Sequence, residues 1–385
     1  MRVLLVNTSD NVGGAAVACQ RLMKALLQSG IEVRMLVRDK QTADDRVTAI
    51  SARWQKAVER VMMLPFTGFS WRQSWTVDVN WFGKDITRCE AFQWADVVHL
   101  HWVNQGFLSV SDIARIVRSG KRVVWTMHDL WPLESIYHYE QPMKMPWLET
   151  QTMRRKLNAY AGCGVRFVTC SRWLMNQVTD SPLLKGNTIT SIPNPIDMTV
   201  FANREQQEAR KRLGLPAEGR IVLFVSQKLT DERKGARYFI DAVNRLGRDV
   251  TVAVLGSHGD EIARAISTGC VALGYVSDQD RIVDVYNAAD VFVLPSLNDN
   301  LPNTIMEAMS CGTPCVGFDI GGIPEMIDHL ENGYVAHARD VDDLTKGIRY
   351  VLDNHDRLGT EAVGKVRREY NNETIAKRFI EVYKS

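Results

Sequence analysis

The chain has 385 residues, 45% of them hydrophobic and 24% charged, with a formal net charge of +2. That length exceeds one comfortable core and predicts two domains, and the composition is that of a globular protein without low-complexity tracts. No apolar run approaches the roughly 20 residues of a membrane span, and an odd set of cysteines with no Cys-x-x-Cys pair argues for reduced thiols, as in a cytoplasmic protein.

Charge is unevenly spread. Residues 1–197 carry 24 Lys+Arg against 17 Asp+Glu, and the remainder 23 against 28. A basic front half suits an anionic partner or membrane surface, or is a solvated charged face. Residues 1–7 are too short and too polar beyond for a signal peptide and read as a first strand. Val3–Val6 leads through a loop ending in Gly13-Gly14 into a helix with apolar Val17, Leu22, Ala25 and Leu26, and then into strand Val33–Val37. This β-loop-α-β order opens a parallel, Rossmann-like sheet. The Gly-Gly turn lets backbone approach a ligand but is not the Gly-x-Gly-x-x-Gly fingerprint.

Residues 51–95 break the alternation: Trp54, Trp71, Trp75, Trp81 and Trp94 are interleaved with Arg53, Lys56, Arg60, Arg72, Lys84 and Arg88. The segment reads as an interfacial or sugar-stacking surface, or as core aromatics with snorkelling cations, the latter favoured for most of the five. Nucleic acid is not expected as a partner, for no binding motif accompanies the modest basicity. A strand over Asp96–His101 places His99 and His101 on one face, and strand Arg122–Met127 delivers His128 at its C-terminal end, where α/β sheets gather ligands. Strand Val165–Thr169 precedes Ser171, a helix N-cap. The stiff run Ile192-Pro193-Asn194-Pro195-Ile196-Asp197 marks the linker.

A second series follows: strands Ile221–Ser226, Val250–Leu255, Val271–Leu273 and Val291–Leu294. After the last comes PSLNDNLPNTIMEAMSCGTPCVG, residues 295–317. Asp299 lies in its loop and Glu307 on a short helix closed by Gly312, and the helix start at Asn303 and Thr304 offers free amides to a phosphate. No residue spacing suggests a metal site.

This segment resembles the acidic signature of retaining, metal-independent glycosyltransferases of family 4, with the GT-B fold. Glu307-Ala308-Met309-Ser310-Cys311-Gly312-Thr313-Pro314-Cys315-Val316 matches its second half, and Asp299 takes the place of the first Glu. Asn300-Leu301-Pro302 stands where Gly-Phe-Gly is common, a variant similar to exopolysaccharide transferases of the colanic-acid type. The resemblance implies an α/β GT-B fold: Rossmann-like domains at 1–195 (acceptor) and 196–365 (donor) facing across a cleft, with a helix over 366–385 crossing back to the first. It implies a hexosyltransferase that needs no metal or cofactor besides its nucleotide-diphosphate sugar donor. The acceptor would be a glycan or lipid-linked hydroxyl in surface polysaccharide biosynthesis, reached at the inner membrane face. By the same resemblance Asp299 and His128 contact the donor sugar, Glu307 the ribose, and Lys228 and Lys234 the diphosphate, with Arg233 a competitor for the last place. Gly13, Gly14, Gly274, Tyr275, Asn300, Leu301, Asn303 and Thr304 line the ligand. A nucleotide-sugar-binding scaffold subunit, or an epimerase or hydrolase on the same fold, are the alternatives.

Overall fold

Runs such as Val3–Val6 and Val291–Leu294 are apolar at consecutive positions, which marks strands covered on both faces of a parallel sheet. In a computed structural model, which describes residues 1–71, 74, 76–139 and 144–385, these strands build two sheets. The first joins β1 (Arg2–Ser9), β2 (Glu32–Asp39), β3 (Val47–Ala49), β4 (Val97–Leu100), β5 (Arg122–Met127), β6 (Arg166–Thr169) and β7 (Thr188–Ser191) in the order 3-2-1-4-5-6-7. The second joins β8 (Arg220–Lys228), β9 (Val250–Ser257), β10 (Gly269–Ala272), β11 (Val291–Leu294), β12 (Cys315–Phe318) and β13 (Gly333–Ala336) in the order 10-9-8-11-12-13. Pairing is parallel throughout, with Val3 opposite Val97 and Val291 opposite Val222. In each sheet the order reverses beside its first strand, between β1 and β4 and between β8 and β11. Such a switch point opens a crevice at the C-terminal strand ends.

The chain divides into two compact units, 1–195 with 372–385, and 196–371. Residues 366–371, expected in the returning helix, stay with the second unit. The helix His355–Glu369 runs on to Tyr370, whose carbonyl accepts the Ile196 amide at 2.8 Å, and a separate helix, Asn372–Lys384, begins after the break. That last helix sets Ile375, Ala376, Phe379 and Tyr383 into the same cluster as Val3, Leu5, Leu22, Leu26 and Val124. On the opposite face of the sheet, Trp125 stacks on Phe167 with centroids 5.8 Å apart.

The aromatic segment departs from the core reading. Trp54 and Trp71 are 81% and 54% exposed, and Trp81 and Trp94 are half-buried, Trp94 beneath the Arg34 guanidinium at 4.5 Å. Arg72 and Trp75 lie outside the described residues. Ser171 caps its helix as expected, accepting the Leu174 amide at 3.0 Å.

Candidate functional site

At the switch point of the second sheet, three loops are fastened to one another. β8 ends at exposed Lys228, whose carbonyl accepts from Ser226 Oγ, and the chain turns through Glu232–Lys234 to Gly235. Gly235 has φ +72°, and a Cβ there would lie 1.8 Å from the Pro295 carbonyl oxygen. The turn therefore packs backbone to backbone on the loop after β11, and Leu297 donates its amide to the Arg233 carbonyl at 2.7 Å. Lys234 Nζ meets Asp299 Oδ2 at 2.5 Å, and Ser296 Oγ donates to the same oxygen at 3.1 Å. Arg233 turns instead to Asp231, at 2.7 Å. Of the two rival cations, Lys234 is the one set beside the acidic loop. From the other side, Gly322 donates its amide to the Asp299 carbonyl at 3.3 Å. Gly321, at φ +64°, leaves no room for a Cβ, which would sit 1.8 Å from that carbonyl oxygen.

Pro302 occupies the cap position of the helix Asn303–Ser310 with φ −68°. Its missing N–H is therefore none of the first-turn amides, which belong to Asn303 and Thr304 onward. Glu307 points inward from this helix, and its Oε2 accepts from the Tyr286 hydroxyl at 2.8 Å. Asn300 and Leu301 are nearly buried in the loop, whereas Tyr275 is 63% exposed beyond Gly274. The Gly274 carbonyl accepts the Gly256 amide at 2.9 Å, which ties the β10 exit to the end of β9.

The first unit carries a separate polar cluster at its own switch point. His128, half-buried past β5, has Nε2 3.0 Å from His101 Nδ1 and Nδ1 3.5 Å from Cys170 Sγ. His99 lies deeper, between Tyr383 Oη and Thr126 Oγ1, both at 2.7 Å. Burial favours the neutral rings. It lowers His128 to about 4 and His99 to about 3, places His101 well below the ordinary histidine range, and raises the Cys170 thiol to about 12. Asp129 is the adjoining anchor: it accepts from Trp102 Nε1 at 2.9 Å and faces His138 Nδ1 at 2.7 Å. Burial pushes its carboxyl up, but His138 and the donated hydrogen bonds outweigh this and leave it below the usual range. Gly13, at φ +90°, and Gly14 stand exposed at the start of the helix Gly14–Gln28.

The comparisons with known proteins agree with this architecture. The family model described as "Glycosyltransferase Family 4" matches residues 12–200, and that described as "Glycosyl transferases group 1" matches 219–354. The chain belongs to the family 4 glycosyltransferases. A D-inositol 3-phosphate glycosyltransferase of Thermobispora bispora is 26% identical, over 97% of this chain and 90% of its own. Among solved structures, sucrose-phosphate synthase of Thermosynechococcus elongatus aligns with a TM-score of 0.71 at 17% identity, covering 100% of this chain and 98% of its own. HepE of Anabaena, solved in complex with UDP-glucose, aligns with a TM-score of 0.66 at 15% identity, covering 99% of both chains. These likenesses establish the GT-B fold.

In this glycosyltransferase, then, Lys234 and Asp299 are held by one set of interlocked loops and Glu307, on the helix that follows them, by Tyr286, whereas His128, Gly13 and Gly14 belong to the other unit. Sequence reasoning missed Tyr286, Ser296, Cys170 and the Trp102–Asp129–His138 chain. Tyr286 gave no signal because its helix, Gln279–Ala288, reads as an ordinary amphipathic element. Asp129 could have been suspected from its place beside His128. Among the described residues no cluster of three or more His, Cys, Asp or Glu is placed to hold a metal ion. Nor is any helix of these residues long and apolar enough to cross a membrane.

Proposed function

We propose that this glycosyltransferase moves a hexosyl group from a nucleotide-diphosphate hexose to a hydroxyl of an anionic acceptor, with retention of configuration and without a metal. The interlocked Lys234–Asp299 pair beside the Glu307 helix is the observation that carries this reading. Glu307, oriented by Tyr286, would accept the ribose hydroxyls, Asp299 would orient the donor sugar, and Lys228 and Lys234 with the amides at Asn303 and Thr304 would hold the diphosphate. As the bond from C1 to the diphosphate oxygen breaks, charge builds on the leaving group, and these donors stabilise it. The acceptor oxygen bonds to C1 on the same face and passes its proton to the departing phosphate oxygen. No pair of carboxylates set as in retaining glycosidases is needed. His128 would hydrogen-bond a sugar or acceptor hydroxyl, and to do so its ring must release either His101 or Cys170.

An anionic acceptor fits the first unit, which has 27 Lys+Arg against 18 Asp+Glu, while the second has 20 against 27. It also fits the relative named for D-inositol 3-phosphate. The relatives named for D-inositol 3-phosphate and for L-malate point to a small phosphorylated or carboxylated hydroxyl acceptor, which replaces the polysaccharide of the colanic-acid resemblance in this proposal. HepE with UDP-glucose makes uridine the first base to try. The test is a thermal-shift titration with nucleoside diphosphates and their hexoses in chelator, followed by NMR of the product's anomeric proton. A ligand at 100 times its Kd stabilises by about 2.7 kcal/mol. A shift lost in Glu307→Ala, with a product of unchanged anomeric configuration, is expected; an inverted product or a strict metal requirement would overturn the reading.

A further inference from the structure

The helix Arg53–Met63 turns its polar face inward. Glu59 and Arg60 are buried: Glu59 Oε1 accepts the Asn80 amide at 2.7 Å, and Arg60 pairs with Asp78 and donates to the Ser74 carbonyl. The helix start is packed so closely on the preceding sheet's loops that a Cβ on Gly106 would lie 2.4 Å from the Lys56 amide. Its apolar face points the other way. Trp54, Val61 and Met62 share one side by helical spacing and are 81%, 59% and 43% exposed. The surface continues past the helix through Phe66, Phe69 and Trp71, and Phe66 stacks on exposed Trp147 with centroids 6.1 Å apart and planes within 7°.

Single exposed apolar side chains are ordinary, but a continuous face of them marks an interaction surface. Its charge selects the partner. Among the described residues of 53–71 and 144–155, the exposed charges are Arg53, Lys144 and Arg154. The carboxylates there are withdrawn: Glu59 is buried, and Glu149 accepts from the Tyr137 hydroxyl at 2.5 Å. Large exposed aromatics on two segments whose exposed charges, among the described residues, are all cationic complement the headgroup zone of an anionic bilayer. A second copy of the same face would instead set cations against cations. We propose that the face formed by Trp54, Val61, Met62, Phe66, Phe69 and Trp147 is a docking surface for an anionic lipid bilayer. The proposal is independent of the donor chemistry.

The test is flotation of the full chain with phosphatidylcholine vesicles, with and without phosphatidylglycerol. Binding to the anionic vesicles alone, weakened by salt, is expected. The double variant Trp54→Ser, Phe69→Ser should lower the bound fraction at least tenfold while leaving the nucleotide-induced thermal shift unchanged. In the unaltered protein, lipids brominated near the headgroup should quench tryptophan fluorescence, a readout that needs no substitution. Absence of flotation, binding that the double variant retains, or a concentration-dependent dimer that the variant abolishes would each overturn the proposal.

Discussion

Tyr286 helps to orient Glu307, since the phenol donates directly to the carboxylate from inside the second unit. A hydrogen bond to a charged group contributes about 1.5–3 kcal/mol. Tyr286→Phe should therefore weaken nucleoside diphosphate binding by about 10- to 100-fold, read by calorimetric titration. Affinity within twofold of the parent would show that Glu307 is held without it. His99, His101 and His128 give a pH dependence with a definite sign. Their folded-state values are depressed by burial, so below about pH 6.5 the unfolded chain binds protons that the folded chain refuses. Stability is full above that pH and falls as the solution is acidified toward the folded value of His99, about 3. His99 and His101 set the size, at about 1.4 kcal/mol per pH unit each; half-buried His128 adds less because water screens it. Urea midpoints for the first unit should decline from neutrality to pH 5, and a flat profile would mean that the two rings are hydrated.

At the scale of elements, the interlock of the turns at Gly235 and Gly321 is what converts a loop into a site. Gly321→Ala forces both a left-handed backbone and a clash with the Asp299 carbonyl. A strained conformation of this kind costs about 1–3 kcal/mol. The loop should shift to relieve it, so turnover should fall more than tenfold while nucleoside diphosphate affinity, proposed above to be shared by Glu307, the two lysines and the helix amides, falls less. Equal losses in both would place Asp299 and the nucleotide in one rigid unit. The same loops show what was legible in the chain. Val291–Leu294 and the helix closed by Gly312 were readable because an apolar run, a polar break and a left-handed residue are local signals. The short strands Val47–Ala49 and Thr188–Ser191 were not, since three or four residues carry no measurable periodicity. Lys234 could be named but not separated from Arg233, because only tertiary placement decides which neighbour turns to Asp299. The helix Arg53–Met63 was not legible at all, and the core reading of the aromatic segment fails at Trp54 because Glu59 and Arg60 find buried partners and take the inward side.

The whole molecule is divided by charge and by chain. The basic first unit is closed by the last residues of the sequence, 372–385, and the acidic second unit is the uninterrupted stretch 196–371. That closure is energetic as well as topological. Ile375, Ala376, Phe379 and Tyr383 are at most 2% exposed, and the Tyr383 hydroxyl is 2.7 Å from His99 Nδ1. Burial of one large apolar side chain contributes about 1.5–3 kcal/mol, so three of them are comparable with the whole 5–15 kcal/mol that holds a typical domain together. Deletion of 372–385 also strips the cover from Val3, Leu5 and Leu22, which share the cluster. Hydrogen exchange followed peptide by peptide should then show protection collapsing in β1, β4 and β5 while β8, β9 and β11 keep theirs. Because the donor groups assigned above other than His128, Gly13 and Gly14 lie within 196–371, the truncated chain should still show protection gained on adding nucleoside diphosphate around Glu307, with transfer abolished. Loss of protection in both sheets together would mean that the second unit draws its stability from the first, and the donor residues would then have to be tested only in the intact chain.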